Sequence, residues 1–407
     1  MSKKRYGERV KRDELLIGTY YLGRHAQNEE NVRRLADAGI DFIVREEYSN
    51  TLLDLLAKHG IGAFPIGILP QQRKLFYLHD QIPVKKYDAA AKTYTDHPAV
   101  YGPFIGWRSN KMNFEHYGKL IARAKELFPQ MLPFFSLASS YPEDITNGKN
   151  APMAIHGTYD YEEYVKEYVR YIDLDYICFE HYPYVSSPAR FLENMEIVAD
   201  ACRESNRDLW ATLQVTHRDP EHHAYALNTP KMLRFQAYTA MAFGAKAILW
   251  STWTEGWWKT CVIDGLGNAT RHYKKISEIN AELKRMGDAY MAYENKSTHF
   301  LGYVGTPYLS YTKKKSENGI DLGDFKRITL HGGNATVGYF EKAGGCALMI
   351  SEASDPYDDG YVTTEITFET DKTPKALLDG EAFPLEKREG RYVLPISQSC
   401  GVFVTLS

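Results

Sequence analysis

Four stretches of this sequence bring together side chains that can move protons, hold charge or stack on a ring. Glu180-His181-Tyr182 sets a carboxylate, an imidazole and a phenol in succession. Glu46-Glu47 offers adjacent carboxylates, only one of which can face a given side of a strand. Trp107-Arg108-Ser109-Asn110 joins an indole to a guanidinium, and a fourth stretch carries Trp250, Trp253, Glu255, Trp257 and Trp258. A carboxylate can act as general acid, base or nucleophile. A guanidinium offers a planar fork to a carboxylate, sulfate or phosphate. Indole faces stack on the apolar C–H faces of pyranose rings, while carboxylates, amides and imidazoles hold hydroxyls, so the set points to a carbohydrate ligand. The bland alternative for the indoles is core packing under a hydrophobic lid. Trp257-Trp258, beside Lys259 in a polar loop and outside any periodic run, favours a ligand surface.

Other chemistries lack their signatures. His181, His217 and the pair His222-His223 have no HExxH or comparable spacing, so they read as hydroxyl partners and no metal or cofactor is expected. Asp355, Asp358 and Asp359 read as a solvated turn rather than a calcium loop. There is no nucleophile elbow, and no GxGxxG or GxxxxGK[ST] follows the first strand.

The elements that must position these residues are legible as apolar runs: Leu15–Tyr21, Asp41–Val44, Ala63–Leu69, Val100–Gly106, Met131–Leu137, Tyr176–Phe179, Leu209–Leu213 and Ala245–Trp250. Helical patterns lie between most of them, several stopped by Gly or Pro such as Gly60, Pro129 and Gly244. Eight strands apolar on both faces and alternating with helices predict a (β/α)8 TIM barrel, whose chemistry is built at the C-terminal strand ends. Those ends are Tyr20-Tyr21 and His25, Arg45-Glu46-Glu47, Trp107–Asn110, Ser136 with Ser139, Glu180–Tyr182, Gln214 with His217, and the Trp250–Trp258 stretch. After a last helix over 271–290, short strands separated by Gly, Asp and Asn turns predict a small antiparallel β-sandwich. The expected domains are 1–294, a catalytic or glycan-binding barrel, and 295–407, the sandwich.

Composition bounds the reading further. A chain of 407 residues with 44% hydrophobic and 25% charged residues is globular, too long for one core. Lys+Arg 49 against Asp+Glu 52, with no basic block, excludes a nucleic-acid footprint. No run is long enough to span a membrane, and the charged N-terminus lacks a signal-peptide core. Five scattered cysteines without CxxC read as reduced, buried thiols, so a cytoplasmic protein is expected. The sequence leaves the oligomeric state open.

Several segments resemble clan A glycoside hydrolases: His97-Pro98-Ala99-Val100-Tyr101-Gly102 with Asn113-Phe114, Tyr161-Glu162-Glu163-Tyr164, Glu180-His181-Tyr182-Pro183, Arg234–Ala240 before Gly244-Ala245-Lys246, and Ile263–Thr270. The resemblance spans essentially the whole chain and implies the barrel with its trailing sandwich. It also implies a glutamate acid ending strand 4 and a glutamate nucleophile ending strand 7. Here those places hold Trp107-Arg108-Ser109 and Leu213-Gln214-Val215, and an arginine cannot donate a proton near neutral pH. Glycoside hydrolysis ordinarily needs two carboxyl groups, so either they have moved or the chain is not an ordinary glycosidase. Glu180, matching the acidic residue of the relatives' acid-His-Tyr-Pro motif, is the expected principal carboxylate, with Glu46 or Glu47 as the second and Glu255 as a further candidate. Arg108 either pairs with Glu180 or binds an anionic substituent, with Arg45 and Lys259 near the same mouth. The expected substrate site comprises Tyr21, Trp107, Arg108, Asn110, His181, Tyr182, Gln214, His217, Trp250, Trp253, Glu255 and Trp258. The expected activity is hydrolysis of a short oligosaccharide or glycoside, neutral or anionic. The alternatives are a catalytically silent glycan-binding barrel and a sugar lyase or isomerase moving protons with Glu180 and His181.

Overall fold

The computed structural model describes residues 6, 8–10, 13–47, 49–66, 97–140, 153, 155–184, 188–218, 225–255, 260–303, 308–354, 364–397 and 399–406, without the side chains of 45–47, 188, 217–218 and 225–227. The eight apolar runs form eight parallel strands: β1 Leu16–Tyr20, β2 Phe42–Glu47, β3 Gly62–Ile66, β4 Phe104–Trp107, β5 Phe134–Leu137, β6 Tyr176–Glu180, β7 Asp208–Gln214 and β8 Ala245–Ser251. Their order is β3-β2-β1-β8-β7-β6-β5-β4. The ring closes where Ala63 of β3 donates to Ala99 O (2.7 Å) and accepts from Tyr101 N (2.9 Å). β4 and β5 begin later than their apolar runs because Pro103 and Pro133, just before them, cannot donate to a ladder.

Among the described residues, seven helices stand between or after the strands: α1 Glu29–Asp37, α2 Asn50–Lys58, α3 Phe114–Leu127, α4 Tyr161–Tyr171, α5 Pro188–Ser205, α6 Pro230–Ala242 and α7 Arg271–Tyr290. Side chains cap their first turns as the sequence dictates: Asn28 for α1, Asp160 for α4, Thr229 followed by Pro230 for α6, and Thr270 for α7. Among the described residues, no helix is long and apolar enough to cross a membrane.

The barrel interior is packed with rings. Tyr176 and Trp210 stack at 4.0 Å, and Phe104 stacks on Phe134 at 5.6 Å. Gly18 on β1 makes room for them, since a Cβ there would lie 2.4 Å from the Phe42 ring. Tyr6 plugs the bottom, donating to Asp208 Oδ2 (2.7 Å) and accepting from Trp210 Nε1 (2.9 Å).

Beyond α7 the chain forms two antiparallel sheets. The larger is built on β9 Glu294–Leu301, β11 Ala335–Lys342, β12 Gly345–Glu352, β16 Gly401–Leu406 and β14 Pro374–Leu378. The smaller is built on β10 Phe325–His331, β13 Thr364–Glu369 and β15 Arg391–Ile396. Period-two alternation gives the larger sheet two apolar faces. Cys346, Leu348, Ile350, Val402 and Val404 face the sandwich core. Ala347, Met349 and Phe403 join the barrel's own core. There Tyr290 of α7 meets Phe340 at 5.2 Å and Phe403 at 5.7 Å. Contact with α6 is close: a Cβ on Gly338 would sit 2.0 Å from Ala242 O.

Candidate active site at the barrel mouth

Strand alternation decides which residues meet at the C-terminal end of the barrel. On β6, Tyr176 lies in the interior stack, so Cys178 and Glu180 also turn inward while Ile177 and Phe179 face the helices. Glu180 is 1% exposed. Its Oε1 pairs with Arg108 Nε, and its Oε2 accepts from Trp107 Nε1 and, at 3.3 Å, from Tyr182 OH. Tyr182 OH also hydrogen-bonds with Ser251 Oγ at the end of β8 (3.0 Å).

Arg108, 5% exposed, reaches this position from the end of β4. Its φ is 50°, in the left-handed region uncommon for a residue with a long side chain. Arg108 N bonds Ser136 O on β5 (2.9 Å), which fixes that turn. The guanidinium carbon lies 5.0 Å from the Trp107 ring centre. A guanidinium against a carboxylate favours the charged form of each. The pair thus sets a buried carboxylate directly against a fixed positive charge.

Around the pair lies a buried polar shell. Burial, with Cys178, Glu180 and Tyr182 close by, raises the Tyr20 phenol well above its usual range. Burial pushes the Cys178 thiol up to about 12, so it is inert. His156 is buried, with Nε2 bonded to Ser139 O (2.7 Å). Burial, and less strongly the nearby Arg108 charge, holds it down at about 4, so it stays neutral. Tyr20 and Ser136 stand at strand ends that the sequence marked without giving them a role. Ser251 and His156 were not marked at all: the parity of β8, which turns Ser251 inward beside an outward Trp250, is the signal that finds the serine, and no comparable signal finds His156.

Other expected site residues are turned elsewhere. Trp250 is fully buried and donates to Asn280 Oδ1 on α7 (2.8 Å), and Trp253, also fully buried, packs edge-on to Tyr273 of the same helix. Trp250 points outward from β8 and Trp253, in the loop beyond it, lies against α7, so neither indole face is open at the mouth. His181 follows Glu180 by one residue and faces the other way, its ring 5.4 Å from Phe191 of α5. Gln214 is fully buried, accepting from Tyr184 N (2.8 Å) and donating to Thr216 O. Its amide braces the chain after β7 instead of facing a ligand. Asn110 Oδ1 accepts from Met112 N (3.0 Å) while its Nδ2 donates to Met153 O (3.3 Å), tying the β4 and β5 loops. Glu255 Oε2 accepts from Gly265 N (2.9 Å), bracing its own loop, and Tyr21 is half-buried at the end of β1.

Glu46 and Glu47 end β2 opposite Pro65 and Ile66 of β3, and His217 lies in a short ribbon, 216–218 against 225–227; the side chains of all three, like that of Arg45, lie outside the described residues. Trp257, Trp258, Lys259, His222, His223, Asp355, Asp358 and Asp359 lie outside them altogether. Among the described residues, no group of His, Cys, Asp and Glu is placed to hold a metal ion.

A scan of protein-family models gives no match, and a search of curated proteins gives no relative. Solved structures do resemble the chain. It superposes on a catalytic mutant of a GH42 β-galactosidase from G. stearothermophilus with a TM-score of 0.58 and 9% identity, covering 99% of this chain and 100% of that one. A β-galactosidase from Bacillus circulans sp. alkalophilus gives 0.54 at 11% identity with the same coverage. A family 39 glycoside hydrolase from the gut symbiont Bacteroides cellulosilyticus WH2 gives 0.50 at 10% identity, covering 98% and 82%. The chain thus has the clan A glycoside hydrolase fold, a TIM barrel followed by a β-sandwich.

Proposed function

We propose that this protein is a carbohydrate-active enzyme of the glycoside hydrolase kind, acting on a short oligosaccharide or glycoside with Glu180 as its principal carboxylate. One observation carries the reading. A carboxylate held by an arginine, an indole N–H and a phenol sits at the C-terminal end of a barrel strand, where this fold builds its chemistry. Held as an anion, Glu180 would attack C1 of the sugar or stabilise its oxocarbenium-like transition state. Glu46 or Glu47, ending β2, would supply the proton to the leaving oxygen. Arg108 orients Glu180 and is the group an anionic substituent on the sugar would engage, with Arg45 and Lys259 as further cations. Drawing Arg108 toward that substituent would free Glu180 Oε1 for the reaction. Trp107 and Trp258 are the candidate stacking faces, and Tyr21, Tyr182 and His217 candidate hydroxyl partners.

The test is hydrolysis of aryl glycosides and short oligosaccharides, neutral, uronic and phosphorylated, by wild type and Glu180→Gln side by side. Turnover by wild type that disappears in the variant is expected, with faster turnover of anionic sugars. Turnover that survives in Glu180→Gln would refute the assignment. A second reading has its own support: both oxygens of Glu180 are engaged by the chain's own donors, as in a barrel that binds glycans without cleaving them. Sugar binding by calorimetry with no turnover of any substrate would favour it.

A further inference from the structure

Five large apolar side chains are exposed among the described residues, and three of them, Met112 at 67%, Met153 at 42% and Tyr159 at 69%, stand on two neighbouring loops at the barrel mouth. Met112 lies in the turn after β4 and the other two in the segment between β5 and α4. The loops are zipped together. Asn110 bonds the backbone of both Met112 and Met153, Lys111 N donates to His156 O (3.1 Å), and Lys111 Nζ pairs with Glu163. Met112 is four residues beyond Arg108, within roughly 14 Å of it along the chain. Grouped exposed apolar side chains, unlike scattered ones, mark a binding surface. Among the described residues, the Asn110 amide is spent on two backbone atoms and Lys111 on Glu163. Among the described residues, Met112, Met153 and Tyr159 stay outward, two flexible thioethers and a ring that fit irregular apolar groups.

We infer that these loops form a subsite for an apolar aglycone, and that the substrate is an amphiphilic glycoside whose sugar lies over Glu180 and whose alkyl or aryl group lies over Met112, Met153 and Tyr159. The inference rests on the proposed glycoside site and narrows its substrate class. The test compares octyl and methyl glycosides of each sugar in the panel. Both leave as simple alcohols, so a difference reports binding and not leaving-group strength. Wild type should favour the octyl glycoside on the order of tenfold in Kd or in kcat/KM, and that ratio should fall to about one in the double variant Met112→Ser, Tyr159→Ser. Both positions are exposed, so the variant keeps its fold, which circular dichroism checks. Turnover with no aglycone preference, or a preference the double variant leaves intact, overturns the subsite while the hydrolase stands. A preference in binding without any turnover keeps the subsite and overturns the hydrolase. A concentration-dependent dimer in sedimentation that the double variant abolishes assigns the patch to self-association and overturns the subsite, as does failure of every glycoside to bind.

Discussion

Replacing Arg108 by Met removes the cation paired with Glu180, a carboxylate that is 1% exposed. Breaking a buried ion pair from one side costs about 3–5 kcal/mol, because the other charge stays behind. Glu180 keeps two donors, Trp107 Nε1 and Tyr182 OH, which places the expected loss near the lower end, about 3 kcal/mol. Glu180→Gln leaves Arg108 facing an amide and should cost about 2 kcal/mol. The double variant removes both charges, so it should cost at least about 2 kcal/mol less than the sum of the singles. The assay is equilibrium urea unfolding followed by tryptophan fluorescence, to which the barrel indoles Trp107, Trp210, Trp250 and Trp253 contribute. A second arm uses pH. A buried carboxylate without its cation can take up a proton and become neutral, so the penalty of Arg108→Met should shrink between pH 7 and pH 5. Coupling below about 0.5 kcal/mol, or an equal penalty at both pH values, would refute the ion pair and with it the anionic role given to Glu180.

Three further outcomes are expected. Trp107→Phe keeps a ring beside Arg108 but loses the donor to Glu180 Oε2; it should cost about 1–2 kcal/mol in urea unfolding and lower any glycoside turnover. His156, at about 4 in the folded chain, stays neutral while the unfolded chain takes up a proton below roughly 6.5. Its share of stability is therefore present above 6.5, is lost as pH falls from there toward 4, and amounts to on the order of 3 kcal/mol; the pH slope of unfolding should flatten over that window in His156→Gln. Gly338→Ala pushes a Cβ against the Ala242 carbonyl and should cost about 3 kcal/mol, read as a lowered melting temperature and faster proteolysis between α7 and β9.

The barrel was legible because its strands are continuous apolar runs and its helices carry explicit stops; the last helix, 271–290, has the same bounds in sequence and structure. The short edge strands of the sandwich, such as Glu381–Phe383 and Glu386–Arg388, escaped notice because they are charged and exposed, with no buried face to impose a pattern. At the mouth, residue type alone could not say where a side chain points. Glu180, Trp107 and Arg108 meet, as their strand ends allow. Trp250 and His181 sit on equally good strand ends but with the opposite parity, and one step along a strand turned them into the helix layer. Gln214 and Asn110 looked like ligand amides, yet each is consumed by backbone groups that a linear reading cannot locate.

The larger C-terminal sheet has no free side. Odd residues of β12 and β16 belong to the neighbour's interior and even ones to their own, so a single strand is shared property. Cutting the chain after α7 would strip Tyr290 of both Phe340 and Phe403 and leave α6 with a bare greasy flank. The two halves of this molecule are therefore expected to melt as one body, and neither is a portable module: an exchange of the tail between related barrels would have to carry the matching faces of α6 and α7 with it.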